Sequence, residues 1–166
     1  MMEIGKKMDN GTQSGQNGER EFVMVKPDGV HRAHVGDIIT RIERVGLKIV
    51  AIKILQVTKD QAEKHYAIHK DKPFYKGLIK YITSGPSVAM VVEGRNAVSH
   101  TRRLVGATDP HNANPGSIRG DYGLDIGRNI VHAADSVNNA KIEYSIYFDE
   151  EELIAYTRID ESQLYS

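Results

Sequence analysis

The sequence predicts an α+β fold of the ferredoxin-like kind, a βαββαβ sandwich with a four-stranded antiparallel sheet and extra helices. Three observations favour it. Strand-like and helix-like segments alternate along the chain, two β-α-β units follow one another, and the length of 166 residues suits a single domain with its own core. A doubly wound parallel sheet is the alternative, but it would need more strands.

Four apolar, largely β-branched segments are bounded by turn residues and are predicted to be strands. They are residues 21–25, 47–57, 87–94 and the short segment 129–132. A fifth apolar segment, residues 144–148, fits either a strand or a packed connection.

Helices are predicted from apolar residues at helical spacing and from capping residues. They are 35–45, ended by Gly46; one opened by Thr58 with Gln61; 74–83; one from Asn96 to about Val105; one behind Ser136; and a short one capped by Asp149 with Glu152.

Composition excludes several classes of protein. The chain has 22 basic and 22 acidic residues, so bulk charge does not predict a nucleic-acid or membrane-surface partner. It has no cysteine, which excludes disulfides, zinc-thiolate sites and thiol catalysis. No apolar run has the length of a membrane span, and we expect a cytoplasmic protein.

The first 19 residues are polar and rich in Gly, Asn and Gln. Such a segment buries little apolar surface, so we expect a disordered tail over residues 1–19 and one domain over residues 20–166. Neither a P-loop motif nor G-x-G-x-x-G occurs, which disfavours P-loop enzymes and Rossmann dehydrogenases.

Several basic residues are candidates for binding an anion. The long segment from Asp109 to Gly127 carries Arg119, which fits phosphate recognition or a subunit interface equally well. Lys26 follows the first strand and either contacts a phosphate or is a solvated turn residue. Arg102 lies on a helix, and Thr108 beyond it donates to a phosphate or caps a turn.

Two further features have a functional and a structural interpretation. His65 and His69 are spaced i, i+4 as metal ligands can be, but no third ligand is evident and packing roles are favoured. Phe74 is either an exposed aromatic platform or a packing residue.

His132 ends an apolar segment and has little bulk beyond it. Ala133 and Ala134 leave space beside the ring, and the helix begun at Ser136 favours a nearby anion. Glu143 on that helix is placed to hold one ring nitrogen and leave the other as a nucleophile. The alternative is a hydrogen-bonded core histidine.

Seven stretches, in order, are similar to the nucleoside diphosphate kinase family. They are FVMVKPDGV, HYAIHKDKPFY, LIKYITSGP, RRLVGATDP, NPGSIRGDYG, GRNIVHAADS and EELIAY. The resemblance extends from about Arg20 to the C-terminus. It implies transfer of the terminal phosphate of ATP or another nucleoside triphosphate to a nucleoside diphosphate, by a ping-pong mechanism through a phosphohistidine. That reaction maintains the pools of nucleoside triphosphates.

The resemblance also implies roles for individual residues. His132 would be the nucleophile, attacking through Nδ1, with Glu143 orienting its ring and Tyr66 beside it. Lys26, Arg102, Thr108 and Arg119 would surround the phosphates. Asn129, with Lys26, would contact the ribose, and Phe74 would stack on the base. Mg²⁺ would arrive with the nucleotide rather than on protein ligands, and the chain would form a homo-oligomer, with a hexamer expected.

The chain departs from the family pattern directly after the histidine, where Gly-Ser-Asp-Ser is usual and Ala133-Ala134-Asp135-Ser136 stands here. The serine hydroxyl missing at Ala134 normally lies near the catalytic histidine. Two rival functions are a phosphohistidine relay between proteins and a silent nucleotide-binding module. The nucleotide-contacting residues argue against the first, and the intact His132 and Glu143 argue against the second.

Overall fold

The computed structural model describes residues 18–165. The predicted tail lies outside the described residues except for its last two. Of these, Glu19 is the first residue of a strand. None of the helices between residues 18 and 165 has the length and apolar character needed to cross a bilayer.

Four strands form one sheet, and all of its neighbouring pairs are antiparallel. The strands are β1 (Glu19–Val25), β2 (Lys48–Gln56), β3 (Pro86–Gly94) and β4 (Val131–Ala133). Their order across the sheet is β2-β3-β1-β4. This arrangement confirms the predicted antiparallel α+β fold, and the parallel alternative is wrong.

Eight α-helices and three 3₁₀ turns connect the described strands. The helices are α1 (Pro27–His31), α2 (Val35–Arg44), α3 (Lys59–His65), α4 (Tyr75–Ile82), α5 (Ala97–Val105), α6 (Ile118–Tyr122), α7 (Val137–Tyr147) and α8 (Glu161–Leu164). The 3₁₀ turns are Ala67–His69, Pro110–Asn112 and Glu150–Glu152.

The central strand β1 is buried on both faces. Phe22 and Met24 pack with residues of α3, α4 and α7, whereas Val23 and Val25 pack with residues of α2 and α5. A strand covered on both faces carries a continuous apolar run rather than an alternating one, which explains the sequence FVMV. The extra helices therefore cover the second face of the sheet.

The predicted capping residues stand at the starts of their helices, but not all of them form a side-chain capping hydrogen bond. Thr58 and Gln61 form the expected capping box at the start of α3, and Ser136 accepts from the Asn139 N–H at the start of α7. Asn96 precedes α5 as expected, but it adopts φ 54° and its side chain makes no capping hydrogen bond. Asparagine is favoured at this position because it tolerates a left-handed backbone, not because its side chain caps the helix as predicted.

Two segments differ from their predicted conformation. Residues 144–148 were expected to be a strand or connection, but their first four residues complete α7, where Tyr144 and Tyr147 face the core. The supposed turn after β1 is the short helix α1, because Pro27 stands at its first position, where its missing N–H matters least.

The residue just before β4 has a strained backbone and is hydrogen-bonded to the segment just after β1. Ile130 has φ 71°, a left-handed conformation that is unfavourable for a β-branched side chain. Its C=O accepts from the Lys26 N–H at 2.9 Å, and its N–H donates to the Asp28 carboxylate at 3.1 Å. Two hydrogen bonds thus hold the backbone two residues before His132.

Candidate active site

His132 lies in β4 opposite Met24 of β1, and its ring is contacted by an acid from α7. Its Nε2 is 2.6 Å from Oε2 of Glu143. Both side chains are largely buried, which strengthens a hydrogen bond to a charged partner. The structure therefore brings together the two residues that the sequence singled out at this point.

His65, at the end of α3, also contacts this pair. Its Nε2 is 3.2 Å from Nε2 of His132, and its Nδ1 is 3.1 Å from the Tyr147 hydroxyl. Packing was the favoured interpretation of His65, and it is indeed buried, but within the site. The sequence contains no signal that α3 and β4 meet, so its place was missed. His69 does not belong to this cluster of His65, His132 and Glu143.

Burial keeps both histidines neutral. Burial and the nearby positive charge of Lys26 hold the pKa of the His132 imidazole well below its ordinary value. Burial, together with His132, lowers the pKa of His65 to about 3. Burial raises the pKa of the Glu143 carboxyl to about 7. At pH 8 the site therefore holds two neutral imidazoles and an ionised carboxylate.

One distribution of protons satisfies these contacts. A neutral imidazole has one N–H donor and one acceptor nitrogen. The His132 Nε2–H donates to the Glu143 carboxylate and faces the lone pair of His65 Nε2, while His65 Nδ1–H donates to the Tyr147 oxygen. The lone pair of His132 is then on Nδ1, which makes no hydrogen bond within residues 18–165.

A chain of polar contacts holds the lysine after β1. Nζ of Lys26 donates to Oδ1 of Asn129 at 2.7 Å, and the Asn129 amide donates to the Thr108 carbonyl at 2.9 Å. Burial and the positive charge of Arg119 lower the pKa of Lys26 to about 7. Thr108 itself is an exposed residue.

Arg119 braces the backbone around β4. Its guanidinium donates to three carbonyls, those of Asn129 at 3.2 Å, Gly106 at 3.0 Å and Val131 at 2.7 Å. A guanidinium has five N–H groups, so two remain for an anion. Arg102 is more loosely held, with Nη1 3.4 Å from the Ala133 carbonyl.

Of the two aromatic residues predicted for the site, one is buried and the other is exposed. Tyr66 is buried, its ring is perpendicular to that of His132 at 6.3 Å, and its hydroxyl has no partner among the described residues. Phe74 is 54% exposed and its ring lies 5.6 Å from that of His69. An exposed phenyl ring next to a site is suited to stacking.

The ring nitrogens of His65 and His132 and a carboxylate oxygen of Glu143 lie within 4.8 Å of one another. Mg²⁺ prefers oxygen ligands and octahedral geometry, so two imidazoles and one carboxylate do not fit it. The phosphate oxygens of a nucleotide do fit it.

The chain was compared with known proteins. The protein-family model described as nucleoside diphosphate kinase matches residues 19–153. The chain belongs to the nucleoside diphosphate kinase family. It is 57% identical over 147 residues to the nucleoside diphosphate kinase of Archaeoglobus fulgidus, covering 89% of this chain and 97% of the relative. It is 56% identical to that of Staphylococcus carnosus, covering 89% and 98%.

A solved structure agrees with this family membership. The halophilic nucleoside diphosphate kinase from Halobacterium salinarum, in complex with CDP, has a TM-score of 0.87 and 48% identity. The match covers 90% of this chain and 99% of that one. The chain is therefore a phosphotransferase that moves the terminal phosphate of a nucleoside triphosphate to a nucleoside diphosphate, by the family's ping-pong route through a phosphohistidine.

The two alanines after His132 are accommodated without backbone strain. Ala133 pairs with Val23 inside β4 and is not among the described residues with positive φ. Ala134 is buried, and its N–H donates to a carboxyl oxygen of Glu21 at 2.8 Å. Glu21 was not among the predicted site residues.

The raised pKa of Glu143 predicts the acid side of the pH profile. As pH falls through about 7, Glu143 takes up a proton and donates to Nε2, so the imidazole proton moves to Nδ1 and the lone pair on Nδ1 is lost. The rate of phosphorylation by ATP should therefore fall about fivefold from pH 7 to pH 6, and about tenfold from pH 8 to pH 6. Stopped-flow kinetics across pH 6 to 8 measure it.

The control is Glu143→Gln, whose amide oxygen still accepts from Nε2–H but does not titrate. We expect a rate about a hundredfold lower at pH 8, with the decline towards pH 6 removed. The exposed Glu151→Gln should keep the original profile. An acid decline that persists unchanged in Glu143→Gln would assign the titration to another group.

Proposed function

We propose that Nδ1 of His132 is the atom that takes the γ-phosphate. The observation that supports this proposal is the 2.6 Å contact between Nε2 of His132 and Glu143, which leaves the lone pair of a neutral ring on Nδ1. The Nδ1 attack forms an N–P bond as the bond from the γ-phosphorus to the β–γ bridging oxygen breaks, and a nucleoside diphosphate leaves. A second diphosphate then attacks the phosphohistidine and restores the ring.

The basic residues would stabilise the charge that develops on the transferred phosphate. Phosphoryl transfer depends mainly on positioning and on positive charge around the equatorial oxygens. Lys26 and Arg102 lie next to β4, and Arg119 has two N–H groups not used by the backbone. Thr108 would add a hydroxyl donor. Mg²⁺, held by the nucleotide phosphates, would neutralise the charge of the leaving group.

The nucleoside would lie between Phe74 and Asn129. Stacking on an exposed phenyl ring is open to every base, since each has a π-face, and this favours a broad range of nucleotides. Asn129 would contact the ribose, with Lys26 in reach of the same hydroxyls. The relative from Halobacterium salinarum, solved with CDP, is consistent with a nucleoside diphosphate as ligand.

We further propose a cytoplasmic homo-oligomer, with the hexamer as its assembly. The edge strand β2 exposes Ile52 and Ile54, the latter by 69%, and the segment after α6 exposes Leu124. An exposed apolar edge strand in a soluble fold is typical of a contact surface. The mass measured by light scattering should be that of six chains, and the mass of one chain would contradict it.

Labelling without an acceptor tests the proposed nucleophile. Protein mixed with γ-labelled ATP and Mg²⁺ should carry label that is lost in acid and kept in base, and GDP should remove it as GTP. His132→Ala should carry no label and keep its folded circular-dichroism spectrum, because the backbone pairing of β4 with β1 does not depend on the imidazole ring. His100→Ala, at an exposed position on α5, should label like the original protein.

The other outcomes point to the rival functions. Label that GDP does not remove would favour a relay that passes phosphate to another protein. Absence of label would favour a silent nucleotide-binding module, and label retained by His132→Ala would contradict the choice of nucleophile.

A further inference from the structure

The proposed mechanism makes no use of the most deeply buried acid among residues 18–165. Glu21, in the central strand β1, has 0% of its surface exposed. Its Oε1 accepts one backbone N–H, and its Oε2 has no hydrogen-bond partner among the described residues. A buried carboxylate with one oxygen unpaired is strongly unfavourable, so the neutral acid is the stable form.

Glu21 contacts the turn that follows His132 in the chain. Oε1 accepts from the Ala134 N–H at 2.8 Å, and the Phe22 carbonyl lies 3.2 Å from the same nitrogen. Ala134 belongs to the turn that joins His132 in β4 to helix α7, which carries Glu143. A shift of this turn would therefore move the nucleophile relative to the residue that orients it.

Position 134 itself offers no polar side chain. The family's usual serine is replaced by Ala134, which has no hydroxyl. Among the described residues, Glu21 is the side chain that accepts from the Ala134 N–H, while Arg102 contacts the neighbouring Ala133 carbonyl.

The charges that surround Glu21 make its protonation matter. Burial and the negative charge of Glu143 on α7 raise the pKa of Glu21 to about 9, against the opposing effects of the Ala134 N–H and of Arg102 on α5. An ionised Glu21 would attract the Arg102 guanidinium, whose only polar contact among the described residues is the 3.4 Å one to Ala133. That attraction would compete with the phosphate.

We propose that Glu21 is a positioning residue for phosphate transfer, a neutral carboxylic acid that holds the turn after His132 and leaves Arg102 available to phosphate oxygens. This inference rests on the proposed roles of His132 and Arg102. It gives the chain its own solution to the missing serine.

Glu21→Gln is the variant that separates the two parts of this role. Glutamine keeps an oxygen for the Ala134 N–H and cannot ionise. We expect kcat/KM for ATP within about twofold of the original protein at pH 7.5. At pH 10 the original protein should fall about tenfold relative to Glu21→Gln, because only about a tenth of Glu21 is then neutral.

Two further variants complete the experiment. Glu21→Ala removes the nearer of the two acceptors of the Ala134 N–H, leaving the Phe22 carbonyl at 3.2 Å, and should lower kcat/KM about tenfold or more already at pH 7.5. Glu19→Gln makes the same chemical change on the same strand, at a half-buried residue that accepts from the Val98 N–H, and it should follow the original protein at every pH.

A readout independent of catalysis is the infrared band of a protonated carboxylic acid. It should be present in the original protein at pH 8, where Glu143 is ionised, and missing in Glu21→Gln. The melting temperature should also rise in Glu21→Gln, more at pH 8 than at pH 5, because a carboxyl with a raised pKa destabilises the fold as pH rises above its unfolded pKa. This readout remains usable if Glu21→Ala fails to fold.

A kcat/KM ratio between the original protein and Glu21→Gln that stays constant from pH 7 to pH 10 would overturn the inference. So would the lack of the infrared band at pH 8. These results are distinct from a failure of the proposed function, in which the original protein would take up no label from ATP.

Discussion

The contact between His132 and Glu143 is the interaction on which the site depends. A phosphate acceptor needs an unprotonated nitrogen at neutral pH, and burial supplies a neutral ring. Burial alone does not decide which nitrogen bears the proton. The carboxylate 2.6 Å from Nε2 does, and His65 on the far side presents an acceptor to the same N–H. The lone pair is thereby directed to Nδ1.

Several features of the fold hold His132 in position for this contact. Antiparallel pairing of β4 with β1 sets His132 opposite Met24, and the left-handed Ile130 brings the backbone into that register. Arg119 then joins the carbonyls of Asn129 and Val131, which precede His132, to the carbonyl of Gly106. The sequence left phosphate recognition and a subunit interface open for Arg119, and its bracing role could not be predicted because carbonyl positions follow from tertiary structure.

The parts of the fold that could be predicted rest on local chemistry. The Thr58 capping box, the Ser136 cap and the succession of strands and helices along the chain all follow from short sequence patterns. Residues 144–148 were misjudged because aromatic and β-branched residues favour strands, whereas packing against β1 decides their helical state. The same limit hid His65 and Glu21, since the groups that make them functional lie far away in sequence.

The most direct test of the central claim is the protonation state of the His132 ring, read by ¹⁵N NMR of the histidine side chains at pH 8, with His132→Ala for assignment. The structure predicts a neutral imidazole with its proton on Nε2 and an unprotonated Nδ1. An imidazolium, or a neutral ring with its proton on Nδ1, would contradict the account, because neither offers a lone pair where the phosphate must bind.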